Sequence, residues 1–412
     1  MSNADTSRIP ARSEVPPEHA WDLSVLFPSD EEWEKGFEEL SERAKRIPEF
    51  KGTLAESPEK LAACLEFMNE VGMLEERLGY YAHLHMSEDV SDSGNQERMG
   101  RFMRVATEAD TNASFITPEI QAIDDSTMER FLASDVLAEF RIYLKKLRRY
   151  KPHVLSEAEE RILSMQQEAN QTASRSFGAL TDADMDFGDV ETPDGKKPLS
   201  QSSLGSLLLH RDRDVRRQAY LQFHDVYEQH KNTLTNLYAG SVHLDVYKAR
   251  VRKFPSARAA ALFPDDVPED VYDNLLEAVG RNLEPLQRYY ALRKRVLGLE
   301  EFHIYDAKVP LVEDLSVHHT FEQAVGTVSE ALSPLGDEYV ATMRDGMLDG
   351  WVDRYENKGK RSGAFSAGSY VAHPFILMNF KDDDLRDVFT LAHEGGHAMH
   401  SWYSAAANPF QH

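Results

Sequence analysis

Residues 393–397 read His-Glu-Gly-Gly-His, inside the run DVFTLAHEGGHAMHSWYS. Two histidines four apart suit one zinc ion if the segment is helical, because positions i and i+4 share a helix face. His393 and His397 are therefore the candidate metal ligands. Glu394 lies off that seam, within reach of a water at the metal, which is where a general base belongs. This is the HExxH spacing of zinc peptidases. The bland alternative is a surface helix with two solvated histidines. His400, at +7 from His393, lies near the same face but a full turn beyond the midpoint of the pair, roughly 7–8 Å along the axis. Three ligands on one straight helix close tetrahedrally only with poor geometry when bonds are about 2 Å. A packing or supporting role is expected for it.

The flanking residues say how the motif is carried. Asp382, Asp383 and Asp384 supply N-cap and first-turn acids. Leu385, Val388, Phe389 and Ala392 recur at helical spacing and predict the face that packs inward. Gly395 and Gly396 each cost a helix roughly 1 kcal/mol relative to Ala, which predicts a close approach to the backbone there. Upstream, Arg361–Phe380 contains Gly363, Gly368 and Pro374 and then the apolar run Phe375-Ile376-Leu377-Met378. That reads as a strand pair ending just before the motif helix. A strand at a sheet edge can bind an extended peptide by main-chain pairing, and a buried core strand fits the apolar run equally well. His373, in the same stretch, is a structural histidine or a substrate contact.

Elsewhere the pattern is helix after helix. Ser29-x-x-Glu32 and Ser156-x-x-Glu159 are capping boxes, the second opening a helix toward Phe177. Ser57 with Pro58 starts another helix or helix pair over 57–86. Residues 210–250 predict two helices, Pro268 starts one more, and Pro285 kinks it or begins its successor. Pro193-Asp194-Gly195 predicts a hairpin within Met185–Leu199.

The 412 residues carry 46 basic and 70 acidic side chains, a net charge of −24. That sign disfavours nucleic acid as a partner, and the basic run 145–151 reads as a solvated helix face. One cysteine, Cys64, excludes an intrachain disulfide and predicts a buried, inert thiol in a reducing compartment. The first 20 residues lack a signal-peptide core, and no stretch approaches 18 apolar residues. A cytoplasmic protein without a membrane partner is expected, with residues 1–15 a loose tail.

The stretch YENKGKRSGAFSAGSYVAHPFILMNFKDDDLRDVFTLAHEGGHAMHS (355–401) resembles the oligoendopeptidase F family, in the thimet-oligopeptidase clan of zinc peptidases. WDLSVLFPSDEEW (21–33), KPHVLSEAEERIL (151–163), LTDADMDF (180–187), KARVRKFPSARAAALFPDDVPEDVYDNL (248–275) and ALRKRVLGLEEFHIYD (291–306) resemble it too, so the likeness runs from about Trp21 onward. It implies a mainly α, zincin-like fold with small β elements. The implied organisation is an N-terminal helical region over 16–110, a helical region with a hairpin over 111–200 and a catalytic region over 201–412. It implies an endopeptidase of short peptides holding one Zn²⁺, and an edge formed by Gly363, Ala364 and Phe365 through the 376–380 run, with His373 beside the substrate. In the family the third zinc ligand is a Glu about two dozen residues past the second His, with a substrate-polarising His and Tyr further on. His412 is only 15 positions past His397, so the chain reads as ending before that carboxylate. A non-catalytic helical peptide-binding protein of the same shape is the alternative. A di-metal carboxylate bundle needs Glu-x-x-His pairs on two facing helices, and no second metal-like helix is evident.

Overall fold

A computed structural model describes residues 9–166, 169–201, 203–312 and 318–410. In chain order the principal elements are α1 (Asp30–Arg46), α2 (Pro58–Glu88) and α3 (Ser93–Ala113), then short helices and the hairpin β1 (Asp189–Thr192) and β2 (Gly195–Pro198). Helices α4 (Arg213–Gln229), α5 (Lys231–Val251), α6 (Glu269–Arg281) and α7 (Leu283–Val296) follow. The chain continues through α8 (Phe321–Ala331) and α9 (Asp337–Leu348). It ends through β3 (Val352–Asp353), β4 (Phe365–Ala367), β5 (Phe375–Leu377) and α10 (Leu385–Ala407).

The expected serine caps form at α1 and α2, but Glu32 pairs with Lys35 and does not close a capping box. The Ser29 hydroxyl accepts from Glu32 N at the head of α1, and Ser57 from Lys60 N at the head of α2. Residues 57–86 form one helix rather than two. The helix opened near Ser156 instead stops at Met165, and a separate one spans Thr172–Gly178.

The chain divides into two compact units, Met1–Arg149 with Ser316–His412, and Tyr150–Leu315. The contiguous 201–412 region expected from the sequence is thus shared between them. The Tyr150–Leu315 unit builds a small core from Phe187, Val190, Leu207, Val215 and Ala219. Its fully buried Asp306 is held by Arg216 at 2.8 Å and Arg213 at 3.0 Å.

The other unit carries the motif. Its sheet has the order β3-β5-β4, with β5 parallel to β3 and antiparallel to β4. Side chains alternate across a strand, and β5 is covered on both faces. Phe375 and Leu377 join the core of α1–α3, while Ile376 and Met378 join the core of α8, α9 and α10. A strand buried on both faces reads as an unbroken apolar run, which is why 375–378 shows no alternation. The edge expected over the whole 363–380 stretch belongs to β4 alone, because β5 is central.

Residues 9–15 are not a loose tail. Pro10 O accepts from Lys358 N, His19 O from Arg354 N, and Asp22 N donates to Gly350 O. Arg12 bridges Glu88 of α2 and Asp353 of β3, each at 2.6 Å. Asp353 is fully buried and also takes the Lys360 ammonium at 2.6 Å. A carboxylate in that position costs stability unless cations meet it, and residues 9–22 supply one of the two. This N-terminal strap therefore belongs to the sheet beneath the motif.

Candidate metal centre

The motif lies in the middle of α10. The Asp384 carboxylate caps that helix by accepting from Arg386 N at 2.9 Å, and Asp387 accepts from Lys381 N. His393 and His397 point outward from the same stripe. Their Nε2 atoms are 3.1 Å apart and their rings stand at 86°. Either one ring donates to the other or both present lone pairs to a cation. Zn–N bonds of about 2.0–2.1 Å closing across that gap subtend about 100°, near the tetrahedral value. The pair therefore fits two ligand positions on zinc. Among the described residues no group of three or more His, Cys, Asp and Glu is placed to hold a metal ion. His400 is exposed on the same side, and among the described contacts its ring meets neither histidine.

Glu394 turns to the buried flank and is only 8% exposed. No side chain among the described residues hydrogen-bonds its carboxylate, so its oxygens are uncommitted. Gly395 fulfils the expected close approach: a Cβ there would overlap the Met347 methyl, whereas Gly396 faces open space. The inward face of α10 differs from the predicted one. Val388, Leu391, Glu394, Gly395, Ala398 and Met399 are buried, while Leu385 is 40% and Phe389 70% exposed. The helix is rotated so that its histidine stripe stays open, and that stripe takes Phe389 with it.

Of the candidate substrate residues, Gly363 and Ala364 line an open cavity of about 340 Å³ with Asn379, Arg386, Asp387 and Thr390. Thr390 precedes His393 by three positions, so the cavity lies one helical turn before the histidine pair. Gly363 sits at φ +85°, and its carbonyl accepts from Asn379 Nδ2. The Phe365 ring is taken up by Trp21 at 6.3 Å and by the Arg361 guanidinium, so what β4 offers a ligand there is main chain. His373 stacks on Trp351 and shares its Nδ1 with Pro374 O at 2.9 Å. Burial lowers its pKa below the usual imidazole range. These contacts commit its ring to Trp351 and its Nδ1 to the Pro374 carbonyl.

Sequence reasoning missed the ion cluster under the sheet. Lys360 donates to the carbonyls of Tyr355 and Met378, both at 2.6 Å. Burial holds its ammonium below the ordinary lysine range against the pull of Asp353. Nothing in the local pattern marks Asp353 as buried, since β3 is only two residues long.

Comparison with known proteins adds a second line of argument. The profile described as Peptidase family M3 matches residues 206–411, and the one described as Oligopeptidase F matches 119–187. The chain is 37% identical over 408 residues to Oligopeptidase PepF of Bacillus subtilis, covering 98% of this chain and 60% of that protein. It is 36% identical to an oligoendopeptidase F homolog of Borreliella burgdorferi, covering 97% and 67%. The chain thus spans about three fifths to two thirds of these relatives. A crystal structure of a peptidase from Chlamydophila abortus superposes with a TM-score of 0.88 at 31% identity, over 98% of this chain and 68% of that one. Oligoendopeptidase-F from Enterococcus faecium gives 0.58 at 31%, over 77% and 60%.

Proposed function

The chain belongs to peptidase family M3, among the oligoendopeptidase F proteins, and on that premise we propose that it serves a zinc-dependent endopeptidase of short peptides. The convergence of the two Nε2 atoms at 3.1 Å, with an uncommitted Glu394 between them in sequence, carries the reading. His393 and His397 hold zinc, with a further protein ligand required for a catalytic site. Zinc, when bound, acts as a Lewis acid toward the scissile carbonyl and brings the pKa of water to about 7. Glu394 takes the proton from the attacking water and delivers it to the leaving amine. Its buried position keeps bulk water from competing for that proton. β4 holds the peptide as an added strand, through main-chain groups beside Gly363, Ala364 and Phe365.

Short peptides are the substrate class, by analogy with the relatives. The single cysteine supports a cytoplasmic setting, and among the described residues no helix is long and apolar enough to cross a membrane. The test is hydrolysis of a quenched short peptide by a protein that includes the third metal ligand, lost with a chelator and restored by zinc. Peptide binding with no turnover in the presence of zinc would favour the non-catalytic reading.

A further inference from the structure

The segment that follows β4 is gripped from two sides. On one side stands α2. Glu76 Oε1 accepts from Ser369 Oγ at 2.8 Å, Tyr370 N at 2.6 Å and Val371 N at 3.4 Å. One turn along the same helix, the Tyr80 hydroxyl donates to Gly368 O. On the other side stands α10. A Cβ on Gly368 would overlap the Ser401 side chain, so the loop backbone lies directly against the motif helix. The Tyr370 ring also meets Phe410 edge-on at 5.2 Å. Ser369 is 4% exposed, so this is an enclosed anchor and not a surface contact.

The location gives the grip its meaning. Gly368 directly follows Ala367, the last residue of β4, so β4 cannot slide along α10 while Gly368 is pinned. A strand advances about 3.3 Å per residue, and a slip of one residue turns every side chain to the other face. Whatever fixes β4 along α10 fixes which bond of a paired peptide faces His393 and His397.

We infer that Glu76, assisted by Tyr80, is a positioning residue that sets the register of a bound peptide relative to the histidine pair. The inference rests on the peptidase reading and adds a specificity determinant that acts across 294 positions of sequence, from Glu76 to Tyr370.

The test uses Glu76→Ala, Glu76→Gln and Tyr80→Phe in a protein that includes the third metal ligand, with a short extended peptide carrying one photoreactive residue. In wild type the crosslink falls at one position near β4 and cleavage at one dominant bond. In Glu76→Ala both spread to neighbouring positions, KM rises roughly three- to tenfold, and the Tyr370 and Val371 amides exchange faster. Zinc content stays unchanged. Glu76→Gln, which keeps an accepting oxygen, restores the single register. A folded Glu76→Ala protein with the wild-type crosslink position, cleavage bond and KM overturns the inference and leaves the peptidase reading standing. A wild-type chain that neither crosslinks nor cleaves the peptide overturns both. If Glu76→Ala does not fold, Tyr80→Phe carries the same outcomes, with a smaller spread expected.

Discussion

α2 and α10 are both long helices with strong caps, yet they treat their apolar residues differently. α2 runs 31 residues and buries Leu61, Leu65, Val71, Leu78 and Leu84. α10 runs 23 residues, buries Val388, Leu391, Ala398 and Met399, and leaves Phe389 70% exposed. The first helix is oriented by hydrophobic burial, which favours covering each large apolar side chain by roughly 1.5–3 kcal/mol. The second docks through Val388, Leu391, Ala398 and Met399 and leaves the stripe of Phe389, His393, His397 and His400 exposed. Apolar periodicity tells where both helices lie, but the apolar face it predicts for α10 is not the face that α10 buries.

The sharpest way to break that contrast is at Glu394. Glu394→Gln should lower peptide turnover by roughly 10²–10⁴-fold and leave bound zinc in place, since the residue lies off the ligand stripe. Near-wild-type cleavage of a quenched peptide would mean that the buried carboxylate is only a packing feature, like those of α2. Next in size are the ligands. His393→Ala and His397→Ala should each release zinc on dialysis, and His400→Ala should not. Equal loss from all three would remove the distinction between the converging pair and the rest of the stripe.

The glycines sharpen the comparison in the opposite direction. A Cβ on Gly79 of α2 would lie 2.7 Å from Phe102 Cζ, and that ring is itself buried. Gly79→Ala should lower stability by about 1–3 kcal/mol through overpacking. Gly396→Ala, in open space on α10, should raise it by up to about 1 kcal/mol. Thermal melts of the two variants should therefore shift in opposite directions, and shifts of the same sign would contradict the assigned rotations.

The smallest effect concerns pH. Burial of Glu75 on α2, helped by the charge of Asp110, raises its pKa from 4.5 to about 7. A raised carboxyl pKa means that the folded state holds the proton more tightly. The associated stability is present below about pH 4.5 and is lost as pH climbs through 7. Glu75→Gln should melt higher than wild type at pH 8, with that advantage shrinking toward pH 4. An advantage independent of pH would assign the effect to packing instead.

These cases also mark what the sequence could disclose. Ser57-Pro58, Asp384 and the Pro-Asp-Gly turn act within a few residues, so the starts of α2 and α10 and the hairpin were legible. The run 375–378 announced a strand, but its central place in the sheet depends on β3, whose two residues carry no pattern. The histidine pair was legible because its spacing is itself the geometry. Arg12, Asp353 and Glu76 were not, because each acts on a partner hundreds of positions away and local periodicity holds no trace of such pairing.

The N-terminal strap has a consequence in time. Arg12 donates to Asn357, 345 positions later, and its ion-pair partner Asp353 is nearly as far. A ribosome adding about 5–20 residues per second takes roughly 20–70 s to cover that distance. For that interval the sheet that Arg12 and Trp21 complete is still unmade. The motif helix is translated after the sheet, so α10 packs on a sheet that is complete only once residues 12–22 have met residues 350–358.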